Sequence, residues 1–281
     1  MPINSISIII PSTRKKSLYY LIKKLYPQLH YDDEIIIIYD PCIIDTVALK
    51  RNFPHLVLIK EKEFSPAHGR NKGIVRSKNK FLLFLDDDVI PVNSLLKEYR
   101  KKINENPDLF GIAGGILPIC KNNIMKAYYK AQKYSWKHDK SNGIYVTCNL
   151  LLRNEGIQFD ERFSFSHEDV GLSTMLKDKK ILITDKCCVY HQMPSTIIEF
   201  MKKFFLYGEG RANYLRFGYT IEKKRKKQIQ LLISIRYFLM KFPFEKGIIF
   251  CILEMLKYSA YYLGFFNEKR KNGVKRTLKK F

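Results

Sequence analysis

The chain has 281 residues, of which 46% are hydrophobic, and its formal net charge is +23. A chain of this length and apolar content can bury a sizeable core, which excludes disorder over most of its length. The charge is uneven, because residues 195–281 hold 20 Lys and Arg against 6 Asp and Glu. A basic surface of this kind attracts phosphates, whether in a nucleotide, a nucleic acid or an anionic lipid.

The first part of the chain alternates short apolar, β-branched runs with helical periodicities. Strands are predicted over residues 5–10, 34–39, 56–60 and 81–85, and helices over 17–26 and 67–77. Alternation of this kind is typical of a mostly parallel sheet covered by helices on both faces. The sequence therefore predicts an α/β fold that resembles the Rossmann type.

The later elements extend this sheet and then give way to helices. Further strands are predicted over residues 110–117, 144–152, 181–184 and 187–191, with helices over 93–104 and from Glu168. From residue 195 the pattern changes to long helical periodicities. We expect an α/β domain over residues 1–194 and a basic helical region over 195–281.

The six cysteines show no C-x-x-C spacing. Such spacing is typical of zinc sites and redox motifs, so its absence from the sequence favours reduced and mostly buried thiols. Reduced thiols indicate an intracellular protein, and we expect a cytoplasmic one.

Polar residues follow three of the predicted strands. They are Pro11 to Thr13, Asp40, and the run Asp86-Asp87-Asp88. Ligands of parallel sheets bind beyond the carboxyl ends of the strands, where these residues would face one crevice.

The three aspartates directly follow the apolar run FLLFL. Adjacent carboxylates beside an apolar layer repel one another and are poorly solvated, so they need a positive partner. Alternate residues at a strand end point the same way, which lets Asp86 and Asp88 share a divalent cation with its preferred oxygen ligands. A solvated turn neutralised by lysines is the alternative.

Two further features carry candidate chemistry. Glu168 and Asp169 stand where an apolar helix face begins. Acids in a first turn complement the helix dipole, and the same dipole would keep an aspartate ionised as a general base. His191 ends an apolar strand, where it is either an ordinary histidine or a metal ligand.

Taken in order, seven segments resemble a family-2 glycosyltransferase of the GT-A fold. They are IIIPSTRK, EIIIIYD, HGRNKGI, FLLFLDDDV, FDERF, HEDVGL and VYHQ, and together they cover roughly residues 6–192. The specific part is the combination of D-x-D, a later Glu-Asp that opens a helix, and a strand that ends in His. The resemblance implies inverting transfer of a sugar from a nucleotide-diphosphate sugar, most simply a UDP-sugar. It also implies a glycan or lipid-linked acceptor, in cell-surface polysaccharide or glycolipid synthesis.

The resemblance also implies a set of residues for the nucleotide. They are Pro11 and Asp40 at the base and ribose, Arg70 and Asn71 near the diphosphate, Asp86 near the ribose, and Asp87 beside it.

The same resemblance implies the residues of the reaction itself. Asp88 and His191 would bind Mn²⁺ or Mg²⁺, Asp169 would be the catalytic base, and Glu168 would lie at the acceptor. The chain departs from the family pattern after its first strand, at Pro11-Ser12-Thr13-Arg14, and after its second strand, at Tyr39-Asp40-Pro41-Cys42. Both departures touch the nucleotide pocket, so the base preference stays open.

Two other functions fit parts of the sequence. A D-x-D-x-Val/Ile motif also occurs in aspartyl phosphatases, where the first aspartate is a nucleophile, but there it normally ends the first strand. A nucleic-acid-binding protein would explain the charge, yet the sequence shows no helix-turn-helix, RRM or zinc-finger pattern. We expect no nucleic-acid partner.

The basic region contains two apolar segments, over residues 229–242 and 247–266. Charged residues interrupt both, so neither is predicted to span a membrane. One possibility is a pair of helices that packs on the rest of the protein or on a second protomer. The other is an interfacial hairpin. In the second case the basic segments 223–227 and 269–280 would meet anionic lipid.

Overall fold

The structure is a computed structural model, and it describes residues 4–41, 46–62, 65–131, 143–164, 166–219 and 227–278. These residues divide into two units. The first lies within Met1–Ile119, Gln132–Ser164 and Glu168–Met193, and the second within Cys120–Ala131, Phe165–His167 and Pro194–Phe281. The domain boundary at residue 194 stays a prediction.

The first unit is built on one mixed sheet. Its strands among the described residues are β1 (Ile6–Ser12), β2 (Glu34–Tyr39), β3 (Val57–Lys60), β4 (Phe81–Leu85), β5 (Val89–Pro91), β6 (Gly111–Ile119), β7 (Asn149–Arg153) and β8 (Ile181–Gln192). Their order across the sheet is β3-β2-β1-β4-β7-β6-β8-β5.

Helices alternate with these strands and then follow them. Those described are α1 (Lys15–Leu25), α2 (Thr46–Asn52), α3 (Pro66–Arg76), α4 (Leu95–Glu105), α5 (Asn123–Ala131), α6 (Glu168–Met175), α7 (Ile197–Arg216), α8 (Lys227–Lys241) and α9 (Phe244–Leu278). Helices α5 and α7 to α9 belong to the second unit.

The parallel half of the sheet forms as the apolar runs predict. Strand β1 pairs in parallel with β2 and β4, and β2 pairs in parallel with β3. Alternate residues of β1 enter two buried clusters, with Ile8 and Ile10 in one and Ile9 in the other. Both faces are therefore covered, and the ends of β1, β2 and β4 meet at one edge. This arrangement confirms the predicted fold class.

The other half of the sheet differs in detail from the sequence prediction. Strand β8 is continuous, although residues 181–184 and 187–191 were expected to form separate strands; it stays paired with β6 across an irregularity between Gly114 and Ile116. Strand β7 begins at Asn149 rather than at residue 144, and the Tyr145 amide instead donates to Oγ of Ser173. The three-residue strand β5 and helix α2 were not predicted.

Asn149 fixes the register of the strands beside β4. Its buried amide donates to the carbonyls of Gly115 and Cys187 and accepts a hydrogen bond from the Tyr99 hydroxyl. Gly114 permits this contact, because a Cβ there would lie 2.3 Å from the Asn149 amide nitrogen. Buried polar groups need such partners, and the three bonds satisfy this one.

Helices of the second unit pack through glycines and aromatic rings. A Cβ on Gly208 of α7 would lie 1.9 Å from the Tyr261 carbonyl, and one on Gly264 of α9 would lie 1.9 Å from the Phe205 carbonyl. The two helix backbones can approach this closely only because both residues lack a side chain. Phe238 of α8 packs edge-on against Phe250 of α9, with ring centroids 5.3 Å apart.

One described helix, α9, is long and apolar enough over Phe244–Lys271 to cross a membrane, judged by length and composition alone. The sequence prediction excluded a span here because Glu254 and Lys257 interrupt the apolar run. In the structure Glu254 is fully buried, and its Oε1 accepts hydrogen bonds from the Tyr128 hydroxyl and from Nζ of Lys257. Glu254 and Lys257 are therefore paired inside the protein. This pairing weakens the reason for which a membrane span was excluded.

Candidate active site

The three aspartates after β4 are paired with two arginines. Asp86 accepts a 2.7 Å hydrogen bond from Nη2 of Arg70. Asp87 and Asp88 both bind the guanidinium of Arg14, at 3.0 and 2.6 Å. Two arginines, one after β1 and one in α3, therefore provide the positive charge that three adjacent carboxylates require.

Asp87 is the most enclosed of the three aspartates. Its Oδ2 accepts hydrogen bonds from the Ser12 hydroxyl and from the backbone amides of Thr13 and Arg14, each at 2.9 Å. Burial raises the pKa of Asp87, while Arg14 and these hydrogen bonds oppose that rise. The Asp87 carboxylate thus holds the β1–α1 connection against the end of β4.

Arg70 links two parts of the site that are distant in the chain. It is 2% exposed, and its Nη1 donates to Oε1 of Glu168 at 2.9 Å while its Nη2 binds Asp86. Its guanidinium also lies over the Phe159 ring, 5.4 Å from the centroid. Burial alone would lower the pKa of Arg70, but the charges of Asp86 and Glu168 outweigh it and leave that pKa raised.

Glu168 and Asp169 open helix α6, as the sequence predicts. Glu168 is buried, whereas Asp169 is partly exposed and its Oδ1 accepts the Val170 amide at 2.8 Å. Desolvation, followed by the negative charge of Glu168, raises the pKa of Asp169 above its ordinary value, against the opposing charge of Arg70. A carboxylate with a raised pKa is a better proton acceptor near neutral pH.

The backbone is strained immediately before these carboxylates. His167 has a φ of 73°, in the left-handed region that non-glycine residues rarely adopt. Strain of this kind persists where the surrounding structure fixes the chain, and it concentrates at functional sites.

His191 lies beside the aspartates at the end of β8. Val89 of β5 pairs with His191 in antiparallel register, which holds the imidazole near the D-x-D turn. Oδ1 of Asp88 is 3.5 Å from Nε2 of His191. Ligand atoms of Asp86, Cys148 and His191 also all lie within 4.8 Å of one another.

The sequence model described as Glycosyl transferase family 2 matches residues 7–155, which is more than half of the chain. The chain belongs to this family. The matched region contains the aspartates, Arg14, Arg70 and Cys148, and it ends before Glu168, Asp169 and His191.

Individual relatives agree with this family-2 assignment. An uncharacterized glycosyltransferase of Haemophilus influenzae is 34% identical over 107 residues, which are 37% of this chain and 36% of the relative. The alignment therefore spans only about a third of that relative's length.

Solved structures show the same fold. The crystal structure of S. aureus TarS 1-349, also solved in complex with UDP, has a TM-score of 0.52 and 14% and 15% identity in the two forms. Each match covers 95% of this chain and 92% of TarS. The mannosyltransferase PcManGT from Pyrobaculum calidifontis, in complex with GDP-Man and Mn²⁺, has a TM-score of 0.55 at 12% identity, covering 98% of this chain and 80% of that one. The mixed sheet with its surrounding helices is thus the GT-A-like sheet of glycosyltransferases.

The other residues of this family-2 glycosyltransferase that are predicted to contact the nucleotide differ in how buried they are. Pro11 is buried in β1, opposite Ile38 of β2, and the partly buried Asp40 directly follows β2. The Asn71 side chain forms hydrogen bonds with the backbone amide and carbonyl of Phe159, at 2.8 and 2.9 Å. Asn71 therefore positions the segment that carries Phe159, and its predicted place near a diphosphate stays a prediction. Cys42, which follows Asp40 and Pro41, lies outside the described residues.

The residues at the D-x-D turn fit a divalent cation. Oδ1 of Asp88 is buried, and within the described part of the chain it accepts no hydrogen bond. An oxygen in that state beside an imidazole nitrogen is a ligand pair that Mn²⁺ and Mg²⁺ accept. Asp88 and His191 would hold the cation, with Asp86 at its side.

Three features of the site were not predicted. Arg14 and Ser12 were noted only as departures from the family pattern, and Cys148 was regarded as a buried apolar residue. His68 also bridges Glu61 and Glu161, at 3.1 and 2.8 Å. The two carboxylates raise the pKa of His68, and its partners lie 7 and 93 residues away in the chain, too far apart to suggest a contact from sequence.

Replacement of Arg70 by Met should destabilise the first unit by about 3–5 kcal/mol at pH 7, because Glu168 would remain buried without a cation. Arg70→Lys should lose less, since it keeps the charge but cannot bridge both carboxylates. Urea unfolding measures the difference. A loss below about 1 kcal/mol for Arg70→Met would contradict the bridging role.

Proposed function

We propose that this protein transfers a sugar from a nucleotide-diphosphate sugar to an acceptor hydroxyl, with inversion at the anomeric carbon. One observation carries the proposal. The buried Arg70 joins Asp86 of the D-x-D turn to Glu168, whose neighbour Asp169 has a raised pKa. A candidate cation site and a candidate base are thereby held at the same edge of the sheet.

A UDP-sugar is the donor that we favour. TarS, whose fold this chain shares, has been solved with UDP, whereas PcManGT has been solved with GDP-Man. UDP and GDP-Man both contain a diphosphate. A diphosphate is anionic, which agrees with the presence of Arg14 and Arg70 at this edge of the sheet. The acceptor that we propose is a glycan or lipid-linked glycan of cell-surface polysaccharide or glycolipid synthesis.

Asp169 would remove the proton of the acceptor hydroxyl as its oxygen attacks the anomeric carbon. The helix dipole at the first turn of α6 stabilises the charged form of Asp169, whereas desolvation beside Glu168 stabilises the neutral form. Because the two effects oppose each other, Asp169 can both lose and accept a proton near neutral pH. Mn²⁺ or Mg²⁺, when bound, would neutralise charge on the leaving diphosphate. A single displacement by an oxygen on the opposite face inverts the configuration.

The phosphatase alternative is less consistent with the site. Asp86, the first aspartate of the motif, would have to act as the nucleophile. Its carboxylate is instead paired with the buried guanidinium of Arg70. A carboxylate that is neutralised in this way is a weak nucleophile.

Calorimetric binding of UDP, GDP, CDP and dTDP, each with Mn²⁺ and with EDTA, tests the donor. We expect one nucleotide to bind, and more tightly with Mn²⁺. Asp169→Asn should leave that binding within about twofold and lower the release of nucleoside diphosphate from the matching nucleotide sugar at least about 100-fold. The exposed Asp178→Asn is the control and should change neither. Absence of nucleotide binding by the folded protein would reject the proposal.

The dependence of the rate on pH should report the coupling between Glu168 and Asp169. Asp169 must be deprotonated to act, so its raised pKa moves the acidic limb of kcat/KM to higher pH than an ordinary aspartate gives. Glu168→Gln removes the neighbouring negative charge, lowers the pKa of Asp169 and should move that limb to lower pH. An acidic limb that stays in place or moves upward would assign the base to another residue.

We also propose that the second unit binds peripherally to an anionic membrane. The protein would then lie on the cytoplasmic face of the cell membrane. Large apolar side chains of α8 and α9 are exposed, and in α9 they recur on one face of the helix. Six of them are Leu232, Ile233, Met240, Phe244, Ile252 and Met255. Buried residues of α9, such as Phe250 and Leu253, occupy the opposite face.

The charge of the second unit supports the same proposal. Residues 195–281 carry a large excess of basic side chains, each worth about 1 kcal/mol near an anionic surface. Of the two basic segments predicted to flank the hairpin, residues 223–226 and 279–280 lie outside the described residues.

Liposome flotation measures this contact. The protein should float with vesicles that contain anionic lipid and float less with neutral ones. Ile252→Glu with Met255→Glu should abolish flotation, while Val75→Glu, at a still more exposed apolar position in α3, should not. Protein that stays at the bottom with both vesicles would contradict membrane contact.

A further inference from the structure

Arg14 presents a cation that is both anchored and accessible. Its Nη1 donates to Asp87 and to Asp88, yet its side chain remains 57% exposed. Among the described residues, neither Nε nor Nη2 of Arg14 donates a hydrogen bond, which leaves part of the guanidinium fork available to a ligand. A planar fork with several donors is suited to bind phosphate oxygens in pairs.

The position of Arg14 is fixed through its backbone as well. Its amide donates to Oδ2 of Asp87, and the same oxygen holds the Thr13 amide and the Ser12 hydroxyl. Asp87 is 5% exposed, so this anchor is buried. A side chain held at both ends loses little further conformational freedom when it binds a ligand.

The charge balance at the turn requires such a cation. A diphosphate brought to the D-x-D turn meets three carboxylates, of which Asp86 is already paired with Arg70. Asp87 and Asp88 both pair with Arg14, whose guanidinium stays charged at any working pH because arginine does not deprotonate in proteins. Arg14 therefore contributes a permanent positive charge at the point where anionic ligand and anionic protein would otherwise repel each other.

We propose that Arg14 contacts the diphosphate of the donor and supplies a part of donor binding that needs no divalent cation. The inference rests on the proposed function, since it assumes that a nucleotide diphosphate occupies this edge of the sheet. It goes beyond that function by assigning the phosphate contact to a residue that belongs to neither the D-x-D motif nor the expected metal ligands.

The experiment compares wild type with Arg14→Gln by calorimetry. The probes are UDP, GDP, CDP and dTDP with their nucleosides, each in Mn²⁺ and in EDTA. Wild type should keep measurable binding of one nucleotide in EDTA. Arg14→Gln should weaken that binding roughly 10- to 100-fold, the size of a lost charge-assisted contact, and leave nucleoside binding unchanged. Nucleotide binding by Arg14→Gln should thus become dependent on Mn²⁺.

Two further variants complete the test. Arg14→Lys keeps the charge without the fork and should fall between wild type and Arg14→Gln. Arg162→Gln is the matched control, because Arg162 is also about half exposed, at 58%, and is also paired with an aspartate, so it should bind as wild type does.

Two results would overturn the inference while leaving the proposed function intact. One is equal nucleotide binding by wild type and Arg14→Gln in EDTA and in Mn²⁺. The other is an equal loss of nucleoside and nucleotide binding, which would mean that Arg14 only maintains the fold of the pocket. Failure of wild type to bind any nucleotide would instead reject the proposed function and the inference together.

Discussion

The buried guanidinium of Arg70 is the interaction on which the rest of the site depends. It connects α3, the end of β4 and the first turn of α6, and it pairs with Asp86 and Glu168 at once. Glu168 could not be buried there without it, because an unpaired buried charge is very costly. The donor side and the acceptor side of the proposed reaction are therefore not independent surfaces. They are two ends of one ion-pair network, and the pKa of Asp169 depends on the same balance of charges.

The run of three aspartates shows how a local electrostatic conflict can be resolved by tertiary structure. In an isolated segment the three carboxylates would repel one another beside an apolar strand. The fold gives them two arginines: Asp86 pairs with Arg70, whereas Asp87 and Asp88 pair with Arg14. Asp87 also accepts hydrogen bonds from the end of β1, and Asp88 lies beside His191. One arginine thus compensates Asp86, and the other compensates Asp87 and Asp88 together. The net charge of the chain has little part in this, since two arginines suffice.

The sequence predicts the parts of this protein that rest on local pattern. Strands β2 and β4 have the predicted limits, because a continuous apolar run bounded by polar residues determines both ends. Strand β5 was missed because three residues show no periodicity, and β7 was predicted too long because the Tyr145 amide bonds a side chain instead of a strand. The residues named for the site could be taken from motifs. Their partners could not, since Arg70 and Glu168 lie 98 residues apart and no periodicity connects them.

The hydrogen bonds of Asn149 have a consequence for how tolerant this scaffold is to change. Because β7 runs antiparallel to β4, Asn149 lies opposite Leu85, and Cys148 enters the neighbourhood of Asp86 and His191. A shift of one residue in β7 would turn every side chain of that strand to the other face of the sheet. Asn149 prevents this slip with three hydrogen bonds that only one alignment satisfies. The alignment of β7 is therefore set from within the strand by Asn149, and this alignment keeps Cys148 beside Asp86 and His191.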